Sequence, residues 1–241
     1  TEPKEKMRKA NIQKYIDEKK EIYDHIMVFI ENPDCEEKAF NELTEVIDRI
    51  KIQENREEFE HFLNLIFYIS KYHYREEHFI SNLDKIIQYY AKSIKENFTN
   101  IEIIDIFKGS KPILLLLLKC KIIILDENIC QTFIYDDDIF DTKYCHFFYP
   151  EMKQIIQNDD ITNIENELLS QNPEIFEDFE KKRQIGQNDS YICSLIRHDS
   201  VEEFISYVNQ TSILLSSEIP NSIFETNSFL IENKTTLIEY A

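Results

Sequence analysis

Cys145 and His146 are adjacent, and Asp136, Asp137, Asp138 and Asp141 lie just upstream. A thiolate nucleophile needs an imidazole within hydrogen-bond reach and a third group to orient it, and these residue types supply all three. Neighbours in sequence rarely turn their side chains toward each other, however, and no glycine-rich turn accompanies the pair to hold an oxyanion. The pair reads as a buried cysteine beside a half-exposed histidine. The aspartate run offers hard oxygen ligands, but a calcium loop needs alternating oxygens, a central glycine and a distal glutamate. That register is absent, so the run reads as a solvated acidic loop. His61, His73 and His78 lie on or near the third and fourth expected helices, without the i, i+4 spacing or added cysteines that zinc requires. Tyr72, Tyr74, Tyr89 and Tyr90 lack the basic stripe of a base-stacking platform and read as core or groove residues. The sequence therefore assigns no catalytic, cofactor-binding or metal-ligating residue. Cys145 stays open as the nucleophile of a cysteine-dependent enzyme.

The composition narrows the architectures that could position such residues. Only two glycines, Gly109 and Gly186, occur among 241 residues, with six prolines and no tryptophan. A β-sandwich needs frequent glycine-bearing turns, and a nucleotide-binding α/β fold needs a glycine-rich phosphate loop. Two isolated glycines meet neither demand. Forty-six acidic against 27 basic residues give a formal net charge of −19, which repels nucleic acid and anionic membrane surfaces and favours a basic protein partner. Five cysteines, Cys35, Cys120, Cys130, Cys145 and Cys193, form no CxxC and fit reduced thiols in a cytoplasmic chain. Asn97, Asn188, Asn209 and Asn233 begin N-x-S/T sequons of the kind expected by chance in an Asn-rich chain, and the charged opening TEPKEKMRKA resembles no signal peptide. The run Pro112–Leu125 is broken by Lys119 and Lys121 and falls short of the roughly 20 residues of a membrane span.

Apolar residues at gaps of three and four predict helices through most of the chain. One stripe joins Ile12, Tyr15, Ile16, Ile22, Tyr23, Ile26, Phe29 and Ile30, ending at Pro33. Asp34 is placed to cap a second helix over Phe40–Ile50, Asn55 to open a third, and a fourth carries Phe79–Ile94. Asn100 is placed to cap a short helix through Phe107, with Gly109 in its C-terminal turn. Ser110 and Pro112 start a poly-leucine helix, apolar nearly all round and so central. Residues 135–150 show no clear period and predict a loop with at most one helical turn. Two helices follow within 158–186, parted at Pro173. A pair of short helices is expected, Tyr191–Arg197 and Val201–Val208, joined by a tight RHDS link, with a looser stretch from Asn209 to Asn233.

The closing Thr236-Leu237-Ile238-Glu239-Tyr240-Ala241 resembles the T-P-L-H-x-A start of an ankyrin repeat, with Thr236, Ile238 and Ala241 matching. The pattern has Thr cap the helix, the aliphatic Ile238 pack into the stack, and Ala241 admit the next helix. The preceding pair resembles a degenerate ankyrin unit in which Val201, Phe204, Tyr207 and Val208 are the apolar positions and Asp199 replaces the turn glycine. The spacing between Leu195 and Ala241 exceeds the standard ~33 residues and implies an insertion. Together these segments resemble the junction in an expanded ankyrin-repeat family of trichomonad-type protists, where a helical domain of unknown function precedes the array. The resemblance implies the N-terminal region of a longer protein.

The resulting expectation is an all-α chain. Antiparallel helix pairs over residues 1–186 stack as a short solenoid or bundle, and 187–241 form a degenerate ankyrin-like unit and the start of an array. The expected function is a non-catalytic, cofactor-free protein–protein interaction module that caps an ankyrin scaffold. The alternatives are the Cys145 enzyme and, by analogy with other ankyrin proteins, a ubiquitin-system adaptor.

Overall fold

A computed structural model describes residues 2–31, 36–72, 79–135, 142–227, 229–230 and 233–241. Among these residues the secondary structure is helical, and the only β pairing is an isolated antiparallel bridge between Glu218 and Thr236. The chain divides into two compact units, residues 1–106 and 107–241, so the expected boundary at 186/187 falls inside the second.

In the first unit, α1 (Glu2–Glu31) and α2 (Glu36–Ile50) lie side by side. Phe29 meets Phe40 at 5.2 Å and Arg49 bonds Glu21 at 2.6 Å, so numbers rise along one helix as they fall along the other. That order makes the pair antiparallel. A 3₁₀ turn at Ile52–Glu54 leads into α3 (Arg56–Tyr72). As predicted, Asn55 caps α3, its side-chain oxygen accepting the Glu57 and Glu58 N–H groups at 3.0 and 3.4 Å. α4 (Phe79–Asn97) returns along it. Tyr90 packs between Phe59 and Phe62, and Phe59 also meets Phe98. The inward stripes of all four helices bury Ile26, Phe29, Leu43, Ile47, Phe59, Leu63, Leu83 and Ile86 in one core. α5 (Asn100–Phe107) is capped one residue earlier than expected. Thr99 and Glu102 form a reciprocal box: the Thr99 N–H donates to the carboxylate at 2.9 Å, and the Glu102 N–H donates to the Thr99 hydroxyl at 3.4 Å.

The second unit begins with α6 (Lys111–Lys119), whose Ile113, Leu114, Leu115 and Leu117 are buried as its composition predicts. Gly109 turns the chain into it at φ 97°. α7 (Glu127–Tyr135) buries Ile129, Cys130 and Phe133. Of the segment read as a loop, residues 136–141 lie outside the described residues, and the rest is largely helical instead: α8 (Thr142–Phe147) and α9 (Tyr149–Met152) are set end to end, with every residue from Tyr144 to Tyr149 buried. Periodicity failed there because so many consecutive side chains are inward, in turns too short to show a face. α10 (Asp159–Gln171) is capped by Asn158, and α11 (Phe179–Ile185) ends at Gly186, φ 65°. α12 (Tyr191–Arg197), α13 (Val201–Thr211) and α14 (Leu237–Tyr240) complete the unit.

Arg183 fastens these short helices together. It is 2% exposed, and its guanidinium donates twice to Glu151 at 2.7 Å, to the Phe147 carbonyl at 3.0 Å, and to Glu180. The same group lies 5.5 Å from the ring centres of Phe147 and Phe179. With two glycines available, other corners use L-residues: Lys51, Lys121, Asp178, Asp199, Ser212 and Lys234 all have φ between 47° and 60°.

Arg183→Ala is expected to destabilise the second unit by about 3–5 kcal/mol, because it strands the Glu151 carboxylate and a buried carbonyl. Arg183→Lys should recover only part of this, since an ammonium cannot make the paired contact. Urea unfolding followed by circular dichroism measures both.

Candidate functional site

The Cys145–His146 pair sits on α8, within an aromatic cluster in which Phe148 meets Phe133 at 5.4 Å and Phe147 at 5.0 Å. Cys145 is buried as expected. His146 is buried as well, not half-exposed, because its Nε2 turns to the Glu167 carboxylate of α10 at 3.1 Å. The imidazole is thus engaged across the helix interface by a carboxylate, in a setting that serves packing. Asp136, Asp137, Asp138 and Asp141 lie outside the described residues, as do Cys35, His73, His78 and Tyr74; Tyr72 closes α3.

The remaining residues singled out by sequence are dispersed. His61 is exposed, 3.5 Å from the Tyr15 hydroxyl. Tyr89 is half exposed and donates to Asp48 at 3.4 Å, whereas Tyr90 is buried and its phenol is driven well above the ordinary range by desolvation. Among the described residues no group of His, Cys, Asp and Glu could hold a metal ion, and no helix is long and apolar enough to cross a membrane. Burial pushes the Cys130 thiol up to about 11, with help from Asp126 and Glu127, and raises Cys193 also. Neither thiol has the depressed value of a nucleophile.

The distinctive surface is the C-terminal helical region. Ile192, Cys193 and Leu237 form a small core, against which Phe204, Tyr207, Val208 and Ile213 are only partly covered. α13 buries no residue completely, and Val201 and Ile205, one turn apart, are 56% and 55% exposed. Asp199 turns the α12–α13 link at φ 50°, the left-handed conformation for which glycine is favoured. Thr236 and Glu239 form a capping box at the start of α14. The Leu237 and Ile238 N–H groups donate to the carbonyls of Ser217 and Leu215 at 3.0 and 3.1 Å. This pinning turns Leu237 into the core and leaves Ile238 67% exposed, which reverses the expectation that Ile238 is the packed residue.

Beneath this surface, Glu225 is 5% exposed and accepts the N–H groups of Asn188, Thr226 and Asn227 at 3.0, 3.0 and 2.8 Å. Burial raises its carboxyl despite those bonds. The carboxyl of Glu239 is shifted the other way: the Thr236 N–H and hydroxyl both donate to it and lower it. A shallow, largely polar cleft lies beside Glu225, lined by Glu218, Pro220, Lys234 and Thr235. Glu225 spends its oxygens on backbone amides there, which makes it a staple for the loop. Asn188 is buried too, its amide donating to the Pro220 carbonyl at 2.6 Å, so this sequon is structural in the folded chain. Neither Arg183 nor Glu225 was flagged by sequence reasoning. Each stands in a charged or polar stretch whose composition carries no sign of burial.

Comparison with protein-family models, with curated proteins and with solved structures yields no match for this chain.

Two measurements follow from this geometry. In the folded chain Cys145 should react with a maleimide far more slowly than an exposed cysteine, and unfolding in urea should remove the difference. In an NMR titration Glu225 should titrate above, and Glu239 below, the ordinary glutamate value of about 4.3. As pH falls from neutrality, folded Glu225 takes up its proton before the unfolded chain does, so its contribution to stability grows. Glu239's contribution is present above the unfolded pKa and is lost as pH falls through its lowered folded value.

Proposed function

We propose that this chain is a non-catalytic protein–protein interaction module, the capping region of an ankyrin-type scaffold, which takes a protein partner on its C-terminal helical face. The observation that carries the proposal is the open face of α13 and α14: Val201, Ile205 and Ile238 are each more than half exposed beside a small core that covers Phe204 and Val208 only in part. Helical units that cannot cover their own apolar positions do so against a neighbour. The Thr236 capping box and the left-handed Asp199 turn support an ankyrin-like helix pair here, consistent with the resemblance of residues 187–241. Stacked helix pairs over the rest of the chain fit the same scaffold, and the antiparallel α1–α2 pair supports this.

The partner is expected to be basic. Glu202, Glu203, Glu218 and Glu239 are all exposed around this region, and the chain as a whole carries −19. The same charge argues against nucleic acid as the ligand. A catalytic role for Cys145 is disfavoured by its burial and by the engagement of His146 with Glu167. The buried thiols Cys130 and Cys193 fit a reducing, cytoplasmic setting.

The test is affinity capture from an extract of the source cells with the wild-type chain and with Val201→Asp/Ile205→Asp/Ile238→Asp. All three positions are exposed, so the variant is expected to keep the wild-type circular dichroism spectrum and to lose the captured proteins. Equal capture by both forms would refute the assignment to this face.

A further inference from the structure

The apolar stripe of α1 outruns the core that covers it. Ile22, Ile26, Phe29 and Ile30 are buried in the first unit. The stripe continues toward the helix start at Ile16, Tyr15 and Ile12, which are 51%, 41% and 51% exposed. Every residue described from Arg8 to Asp17 is exposed. A half-helix without a packed face is marginal in water, because most helical stability comes from tertiary burial.

Helical spacing gives this strip one sign of charge. Arg8 stands four residues before Ile12, Lys9 three before Ile12 and seven before Ile16, and Lys20 four after Ile16. Lys19 stands four after Tyr15, and its ammonium lies 5.1 Å from the centre of that ring. The acids of this stretch fall elsewhere on the helix. Asp17 accepts a hydrogen bond from Gln13 at 2.9 Å, and Glu18 pairs with Lys14 at 3.6 Å, on the side turned away from Ile12 and Ile16. From α3, Glu58 bonds Lys19. Arg8, Lys9 and Lys20, all exposed, form the rest of the border. A chain of net charge −19 thus presents here an apolar strip with a basic edge.

The edge decides among occupants. A second α1 would set arginine and lysine against lysine. An anionic membrane is a plane, and lying on it would draw the flanking Glu58 and the acidic bulk of the chain toward like charge. A single helix of opposite charge is narrow enough to touch the strip alone. Ridges at three- and four-residue spacing pack into the grooves of such a helix. From Arg8 to Lys20 the strip is roughly 18 Å long.

We propose that the exposed half of α1 is a docking surface for an acidic amphipathic helix of a partner protein. The partner's apolar ridge packs on Ile12, Tyr15 and Ile16, and its carboxylates lie beside Arg8, Lys9 and Lys20. This surface shares no residue with the α13 face, takes a partner of the opposite charge and does not rest on the function proposed above.

The probe is a labelled synthetic peptide of about three heptads with leucine at a and d and glutamate at e and g, whose carboxylates keep it from pairing with itself. Fluorescence anisotropy follows its titration with the full chain at about 0.15 M salt, where a screening length of about 8 Å mutes repulsion from distant acids. The wild type is expected to bind it, and Ile12→Asp/Ile16→Asp to weaken binding at least about tenfold with an unchanged circular dichroism spectrum. Lys20→Glu and Lys14→Glu change the net charge equally but on different faces. The first should weaken binding about threefold, and the second should leave it within about twofold. Bound peptide should also slow hydrogen exchange over residues 8–20. A wild-type chain that fails to bind overturns the proposal, as does equal weakening by Lys14→Glu and Lys20→Glu. So does self-association of the chain, or its capture by phosphatidylserine vesicles, that the Ile12/Ile16 substitutions abolish.

Discussion

A buried guanidinium without partners would be among the costliest groups a small domain could hold, and the second unit is arranged to engage both terminal nitrogens of Arg183. Arg183 reaches α9 through Glu151, the end of α8 through the Phe147 carbonyl, and its own helix through Glu180. Helices of four to seven residues cannot stand alone, because nucleation outweighs the few bonds each one gains. They persist where tertiary contacts fix their ends. The paired hydrogen bonds set the angle at which α11 meets α8 and α9, and the flanking Phe147 and Phe179 rings keep water away. The sequence of short helices in this unit follows from that anchor.

The first unit solves the same problem differently. Its first four helices are 15 to 30 residues long, with stripes wide enough to bury Phe, Leu and Ile side chains in layers. Aromatic contacts such as Phe59–Tyr90 and Phe29–Phe40 then carry specificity of fit. Charged groups stay at the rim, where Arg49–Glu21 and Lys19–Glu58 contribute little individually.

Legibility from sequence tracked helix length. α1 to α4 announce themselves because three or more turns repeat one apolar face, and α6 because its leucines exceed any amphipathic pattern. Asn55 was readable as a cap, since its side chain serves only the next few amides. Thr99 displaced Asn100 because Glu102 stands three residues after it, where the two side chains each satisfy the other's backbone N–H. Residues 142–150 were misread as loop because continuous burial erases periodicity. Among site residues, the burial of Cys145 was readable from its type, but the partner of His146 was not: Glu167 is 21 positions away. The exchange of Leu237 for Ile238 turns on backbone bonds to Leu215 and Ser217 that no local pattern encodes.

The left-handed corners alter the balance between the folded and unfolded ensembles. A non-glycine residue held at φ near 50° pays roughly 1–2 kcal/mol in torsional energy. A glycine at the same place would relieve that strain but would give the unfolded chain more backbone freedom to surrender, an opposing term of about 0.4–1 kcal/mol. Lys51, Lys121, Asp178, Asp199, Ser212 and Lys234 therefore store tension in the native backbone while stiffening the denatured one. Scarcity of glycine thus leaves a fold whose bends are individually taut, with a strain that is only partly offset by a denatured chain that starts with fewer conformations to give up.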